Sequence, residues 1–195
     1  SSAASDVYKR QGMVGSAFKR VLSTAHYPTR QEMDLLQSLN FSKIENIIHL
    51  AAKVGGIQAN MSSMGDFYYE NEKINQNVLQ GAKNAGVKKV VSLLSTCVYP
   101  DASYVTYPLT EDQLHMGPPH SSNFGYAYAK RMVDVMSRAY RQQYGCNFIT
   151  AIPNNLYGEN DNFDLENSHV IPALMRKIWE AKINKKPVVA VSYTH

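Results

Sequence analysis

One alternation constrains this chain more than anything else in it. Short runs of apolar, β-branched residues are followed by long amphipathic stretches, most of them closed by a glycine. Ile47-Ile48-His49-Leu50 precedes Asp66 to Asn84 and Gly86, and Lys89 to Leu94 precedes Tyr126 to Tyr144 and Gly145. Phe148 to Ile152 precedes His169 to about Ile183. Strands alternating with helices are the pattern of βαβ units on a parallel sheet. Continuous apolar runs suit such strands, which are covered on both faces, and glycine supplies the left-handed residue that ends a helix. The expectation is an α/β fold with a Rossmann-type doubly wound parallel sheet.

The N-terminal end breaks this pattern. Gly12-Met13-Val14-Gly15, with a short helix over Gly15 to Leu22, reads as the back half of a nucleotide-binding glycine loop. A buried hydrophobic strand should precede such a loop, but SSAASDVYKRQ stands there. The C-terminal VSYTH and the stretch Asp6 to Gln11 can be encoded by one DNA sequence read from opposite strands, as a sequencing adapter at both ends would be. Residues 1–11 and 191–195 are therefore expected to be non-native tails around a dinucleotide-binding domain at 12–190. Residues 1–11 are expected to pack poorly and not to replace the missing strand. Ser23 to Glu45 is short for the strand, helix and two turns that belong between the glycine loop and Ile47.

Composition narrows the class. The 195 residues are 44% hydrophobic and 18% charged, enough apolar material for a core. A net charge of +4 is no argument for nucleic acid and suits an anionic small molecule. No apolar run approaches membrane-spanning length. Cys97 and Cys146 make no disulfide framework, so a reducing cytoplasm is expected. No metal-ligand spacing is present.

The chemistry-bearing residues fall in a fixed order. Tyr126 and Lys130 are four apart on a helix and share a face. A lysine cation there is expected to lower the phenol pKa and make it a usable acid. Ser95 follows a strand, and ligands of open α/β sheets bind at the carboxyl ends of strands. A second strand exit, Pro153-Asn154-Asn155-Leu156-Tyr157-Gly158, adds to the set.

This ordered set resembles the extended short-chain dehydrogenase/reductases and, within them, the GDP-L-fucose synthases. The segments that carry the likeness are HLAAKVGGIQAN (49–60), LSTCVYP (94–100), NFGYAYAKR (123–131), QQYGCNF (142–148), PNNLYGENDNF (153–163) and SHVIPALMRK (168–177). The resemblance implies NADPH-dependent 3,5-epimerisation and 4-reduction of GDP-4-keto-6-deoxy-D-mannose. Ser95, Tyr126 and Lys130 would be the reductase triad, with Cys97 and His169 as the epimerising acid–base pair. Those carbons flank the C4 ketone, so polarising its oxygen acidifies their protons, and a thiol and an imidazole suit the task.

By the same resemblance, Gly12 and Gly15 would meet the cofactor pyrophosphate, Arg30 the ribose 2′-phosphate, and Asp34 and Leu35 the adenine. Leu50, Ala51, Ala52, Leu93, Leu94, Ser95, Thr96, Lys130, Pro153, Asn154, Asn155, Leu156 and His169 would line the ribose and nicotinamide. Asn155 and Lys177 would contact the GDP-sugar. A guanidinium at Arg30 favours NADPH over NADH. The resemblance also implies a first strand and a C-terminal substrate domain that this chain lacks, and hence weak cofactor binding and little turnover. It implies a homodimer through two helices, for which Met132, Val133, Val135, Met136 and Ala139 supply apolar positions that fit intrachain core equally well. Two readings compete with this one. One is another NAD(P)-dependent nucleotide-sugar epimerase or dehydratase, disfavoured by the Cys97–His169 pair. The other is a catalytically silent dinucleotide-binding protein, disfavoured by the intact triad.

Overall fold

The computed structural model describes residues 5–8, 12–55, 57–165 and 168–187, with 5–8 and 57–59 described by backbone alone. The chain divides into two compact units at Leu156/Tyr157. The first unit contains β1 (Ser5–Tyr8), α1 (Met13–Val21), β2 (Asn46–His49), α2 (Ile57–Ser62), α3 (Met64–Asn84), β3 (Lys89–Leu93), α4 (Phe124–Tyr144) and β4 (Phe148–Ala151). The second contains α5 (Val170–Asn184).

The sheet is parallel throughout, in the order β1-β2-β3-β4. The expected strands and long helices form at the expected places, and α2 is an addition. Gly86 and Gly145 lie beyond α3 and α4 at φ +67° and +68°, the left-handed exits that the sequence required.

One expectation is corrected. Residues 5–8 do take the place of the first strand, pairing Ser5 with Asn46, Asp6 with Ile47, Val7 with Ile48 and Tyr8 with His49. A parallel ladder is built from backbone N–H and C=O groups, so a polar segment of this length can complete the free edge of β2. The rest of residues 1–11, and 191–195, lie outside the described residues.

Ser23 to Glu45, by contrast, forms neither helix nor extended strand. It is a series of turns anchored by buried Tyr27 and Phe41. The Tyr27 hydroxyl donates to Leu22 O (2.8 Å) and the Asn77 amide to Leu35 O (2.8 Å).

The main core lies between the sheet and the α3–α4 pair: Phe41, Ile47, Val78, Leu79, Val90, Val98, Val133 and Phe148. A smaller cluster on the other face joins Tyr27 and Leu50 to Val14, Phe18, Ile48 and Leu93. This asymmetry makes β2 and β3 alternate in burial, where continuous burial was expected. Ile47 and His49 face the thick layer, while Ile48 meets the thin one. On α4 the apolar positions divide: Val133 belongs to the core and Met136 packs on it, whereas Met132, Val135 and Ala139 are exposed. Among the described residues no helix is long and apolar enough to cross a membrane.

Candidate active site

The site is built on the exit from β3. After Leu93 the chain stays extended through Ser95 (φ −155°, ψ 155°) and then closes a single 3-10 turn at Thr96–Val98. Ser95 caps that turn, its Oγ accepting from the Cys97 N–H at 3.4 Å. Opposite stands the first turn of α4. A Cβ on Gly125 would run into the backbone and side chain of Met64, so the start of α4 lies against the start of α3 at a distance only glycine permits. Tyr126 follows directly.

Tyr126, Ser95 and Cys97 are brought together. The Tyr126 hydroxyl is hydrogen-bonded to Ser95, and its phenol pKa lies well above the ordinary 10.0. Burial is the main cause, the neighbouring Cys97 adds to it, and the Ser95 bond opposes it. This differs from the expectation that Lys130 lowers the phenol. Lys130 is buried and its Nζ donates to Leu93 O at 2.9 Å, which ties the ammonium to the strand exit. The phenol's shift is set by burial, Cys97 and Ser95, while the lysine ammonium is directed at the Leu93 carbonyl.

Three polar residues behind the site, His49, Asn71 and Asn75, are not marked by any local motif. His49 is fully buried, and its pKa falls from 6.5 to about 3 through burial and the nearby Lys130 charge, against an opposing bond from Asn75. Asn75 Nδ2 donates to Ala129 O (3.1 Å), so its Oδ1 must accept from His49 Nε2–H (2.9 Å). His49 is therefore a neutral ring fixed in one tautomer, joining β2 through α3 to α4. Asn71 grips the loop after β2, accepting from the Lys53 N–H (2.8 Å) and donating to the Lys53 carbonyl (3.0 Å). A legible signal existed: Phe67, Asn71, Asn75, Val78 and Ala82 form one buried helical stripe. An asparagine on such a stripe must hydrogen-bond.

That gripped loop borders a cavity of about 850 Å³, lined among others by Arg30, Asp34, Leu35, Ala51, Ala52 and Lys53. Five of the expected cofactor contacts thus share one cavity. Arg30 is exposed and only loosely paired with Asp34 at 4.0 Å. Gly12 caps α1 with no side chain bonded to its first turn, and Gly15 is buried within the helix. Thr96 and Asn154 line a second cavity of about 650 Å³ with Tyr99, Asp134, Arg138 and Thr150. Leu50 and Leu94 are buried in the cores, and Leu93 contributes its carbonyl to Lys130. Pro153 is half-buried, while Asn155 and Leu156 are exposed after β4.

In the second unit, His169 is exposed and caps α5, its carbonyl accepting from the Ala173 N–H at 3.1 Å. Lys177 is half-buried on the same helix. Cys97 and Cys146 are free thiols. No metal-binding cluster occurs among the described residues.

A parallel sheet with Ser95, Tyr126 and Lys130 gathered at a strand exit is the architecture of a dinucleotide-binding Rossmann-type fold. Residues 10–193 match the NAD dependent epimerase/dehydratase family, and the chain belongs to that family. Within it, the chain is 51% identical over 148 residues to a GDP-L-fucose synthase of Dictyostelium discoideum, covering 75% of this chain and 46% of that protein. It is 44% identical over 183 residues to the GDP-L-fucose synthase of Sinorhizobium fredii, covering 89% and 58%. The chain thus spans about half the length of these relatives. Among solved structures it is similar to a GDP-L-fucose synthetase from Naegleria fowleri bound to NADP, with TM-score 0.87 and 37% identity over 99% of this chain and 66% of that one. A GDP-mannoheptose C4 reductase from Campylobacter jejuni with NADP bound gives TM-score 0.84 and 33% identity over 93% and 56%.

Proposed function

We propose that this chain carries the chemical groups of a GDP-L-fucose-synthase-type enzyme, for 3,5-epimerisation and 4-reduction of GDP-4-keto-6-deoxy-D-mannose. The observation that supports it most is the grouping of Ser95, Cys97 and Tyr126 at one strand exit, with Lys130 beneath. Ser95 holds the C4 oxygen of the sugar. Tyr126, kept protonated by burial, gives up its proton only as negative charge develops on that oxygen. Cys97 stands beside the same oxygen's binding point, where a carbon next to the ketone would present its proton. His169 is its partner in the proton exchange, and Lys177 and Asn155 contact the nucleotide-sugar.

The cavity fits a phosphorylated dinucleotide: an exposed cation in Arg30 and apolar walls in Leu35, Ala51 and Ala52. Bound there, NADPH would supply hydride to C4. Lys130 holds the ribose near the strand exit. The chain alone binds NADPH weakly, since it spans only about half the length of the relatives it matches. Exposed Tyr68 and Tyr69 on α3 with Met132 and Val135 on α4 support a homodimer through these two helices. The cytoplasm is the compartment that suits its free thiols.

The test is incubation with GDP-4-keto-6-deoxy-D-mannose and NADPH in D₂O, at protein in excess of substrate. Deuterium should enter C3 and C5 and be lost in Cys97→Ser, while NADPH oxidation should be lost in Tyr126→Phe. The absence of both exchange and oxidation, in protein that binds NADPH, would overturn the reading.

A further inference from the structure

α4 holds the segment Leu93–Val98 at three points. Lys130 Nζ donates to Leu93 O at its start, and the Tyr126 hydroxyl meets the Ser95 side chain in its middle. At its end, Arg131 Nε donates to Val98 O at 2.5 Å. The other arm of the same guanidinium, Nη1, donates to Gly117 O at 2.7 Å. Arg131 is only 5% exposed. Its charge lies 5.4 Å from the Tyr128 ring centroid, and Nη2 is buried without a hydrogen-bond partner. Burial lowers its pKa, and the neighbouring Tyr128 opposes the shift.

A buried guanidinium held by carbonyls is a costly way to fill space, because its charge is desolvated with no anionic partner among its hydrogen bonds. What Arg131 supplies is a rigid fork with donors at fixed separation. One prong stops the 3-10 turn that carries Cys97. The other stops the loop that ends at Gly117, which is already tied to the segment after that turn by Asp101 N–H to Pro118 O (2.8 Å) and by the Pro100–Pro119 bridge.

We propose that Arg131 is a positioning residue: by fixing Val98 and Gly117 against α4, it sets where the Cys97 thiol stands relative to the Tyr126 hydroxyl. Its consequence for turnover rests on the acid–base role proposed for Cys97. Lys130 and Arg131 then act as neighbouring clamps on either side of Ser95, one for the reductase pair and one for the thiol.

The experiment compares alkylation of Cys97 and Cys146 by iodoacetamide in the whole chain, read by peptide mass spectrometry, for the unaltered protein, Arg131→Met and Arg131→Lys. Removing a charge-assisted bond should open the turn and raise the Cys97 rate about tenfold, with Cys146 unchanged. Arg131→Lys, which can reach one carbonyl but not both, should fall between. A parallel rise at both cysteines means general loosening and overturns the proposal, as does no change at Cys97 in either variant. Should Arg131→Met fail to fold, the Cys97-to-Cys146 ratio in Arg131→Lys decides alone. Deuterium exchange at C3 and C5 in Cys97→Ser separates the two layers: exchange that persists there ends the catalytic reading of Cys97, while the alkylation ratio still decides the positioning.

Discussion

Replacing His49 by glutamine should remove about one proton's worth of the stability loss expected between neutral and mildly acidic pH. The folded ring is neutral and has a pKa of about 3, while an unfolded one has 6.5. Between those values the unfolded state binds a proton that the folded state refuses, so stability rises with pH across this window. The contribution is intact above 6.5 and falls by about 1.4 kcal/mol per pH unit below it, or about 2 kcal/mol at pH 5. The loss ends only near the folded pKa. Glutamine keeps a donor for Asn75 Oδ1 and cannot titrate. Urea unfolding at about pH 7 and about pH 5, followed by far-UV circular dichroism dominated by α3 and α4, measures the difference. His49→Gln should cost stability at pH 7 and show a pH dependence shallower by roughly one proton. An unaltered pH dependence in the variant would refute the claim that His49 is buried neutral against Asn75 and Lys130.

Asp134 predicts a second, lower window. Its buried carboxylate accepts from His115 (2.9 Å), from Arg138 (2.8 Å) and from the Thr150 hydroxyl (3.2 Å). Its folded pKa lies below 3.8 despite opposing burial, so its contribution is present above that value and disappears as pH falls through the folded pKa. Because the partners Arg138 and His115 are both exposed, Asp134→Asn should cost only about 1–2 kcal/mol at neutral pH by urea unfolding. Gly125→Ala should cost about 1–3 kcal/mol in the same assay, since its Cβ has no room beside Met64. Arg30→Ala should weaken NADPH binding about tenfold in a fluorescence titration and leave NADH binding unchanged, which removes a cofactor preference. Equal losses for both cofactors would show that Arg30 does not read the 2′-phosphate.

By itself the sequence determined the strands at Ile47, Lys89 and Phe148, the helices between them, and their glycine exits. These follow from local periodicity and from a backbone angle that only glycine tolerates cheaply. It also put Ser95, Cys97, Tyr126 and Lys130 in an order that marks a strand exit facing a helix start. Three matters were left to the tertiary structure. Residues 5–8 could be paired with β2 because a ladder reads backbone groups rather than side chains. The Tyr126 phenol is governed by burial because Lys130 is directed to the Leu93 carbonyl, and no spacing along a helix reveals where an ammonium is aimed. The partners of His49, Asn75 and Arg131 lie 26, 54 and 33 residues away. Contacts at that range are invisible to local pattern, and only the close packing of β2, α3 and α4 turned polar residues on apolar faces into the supports of the site.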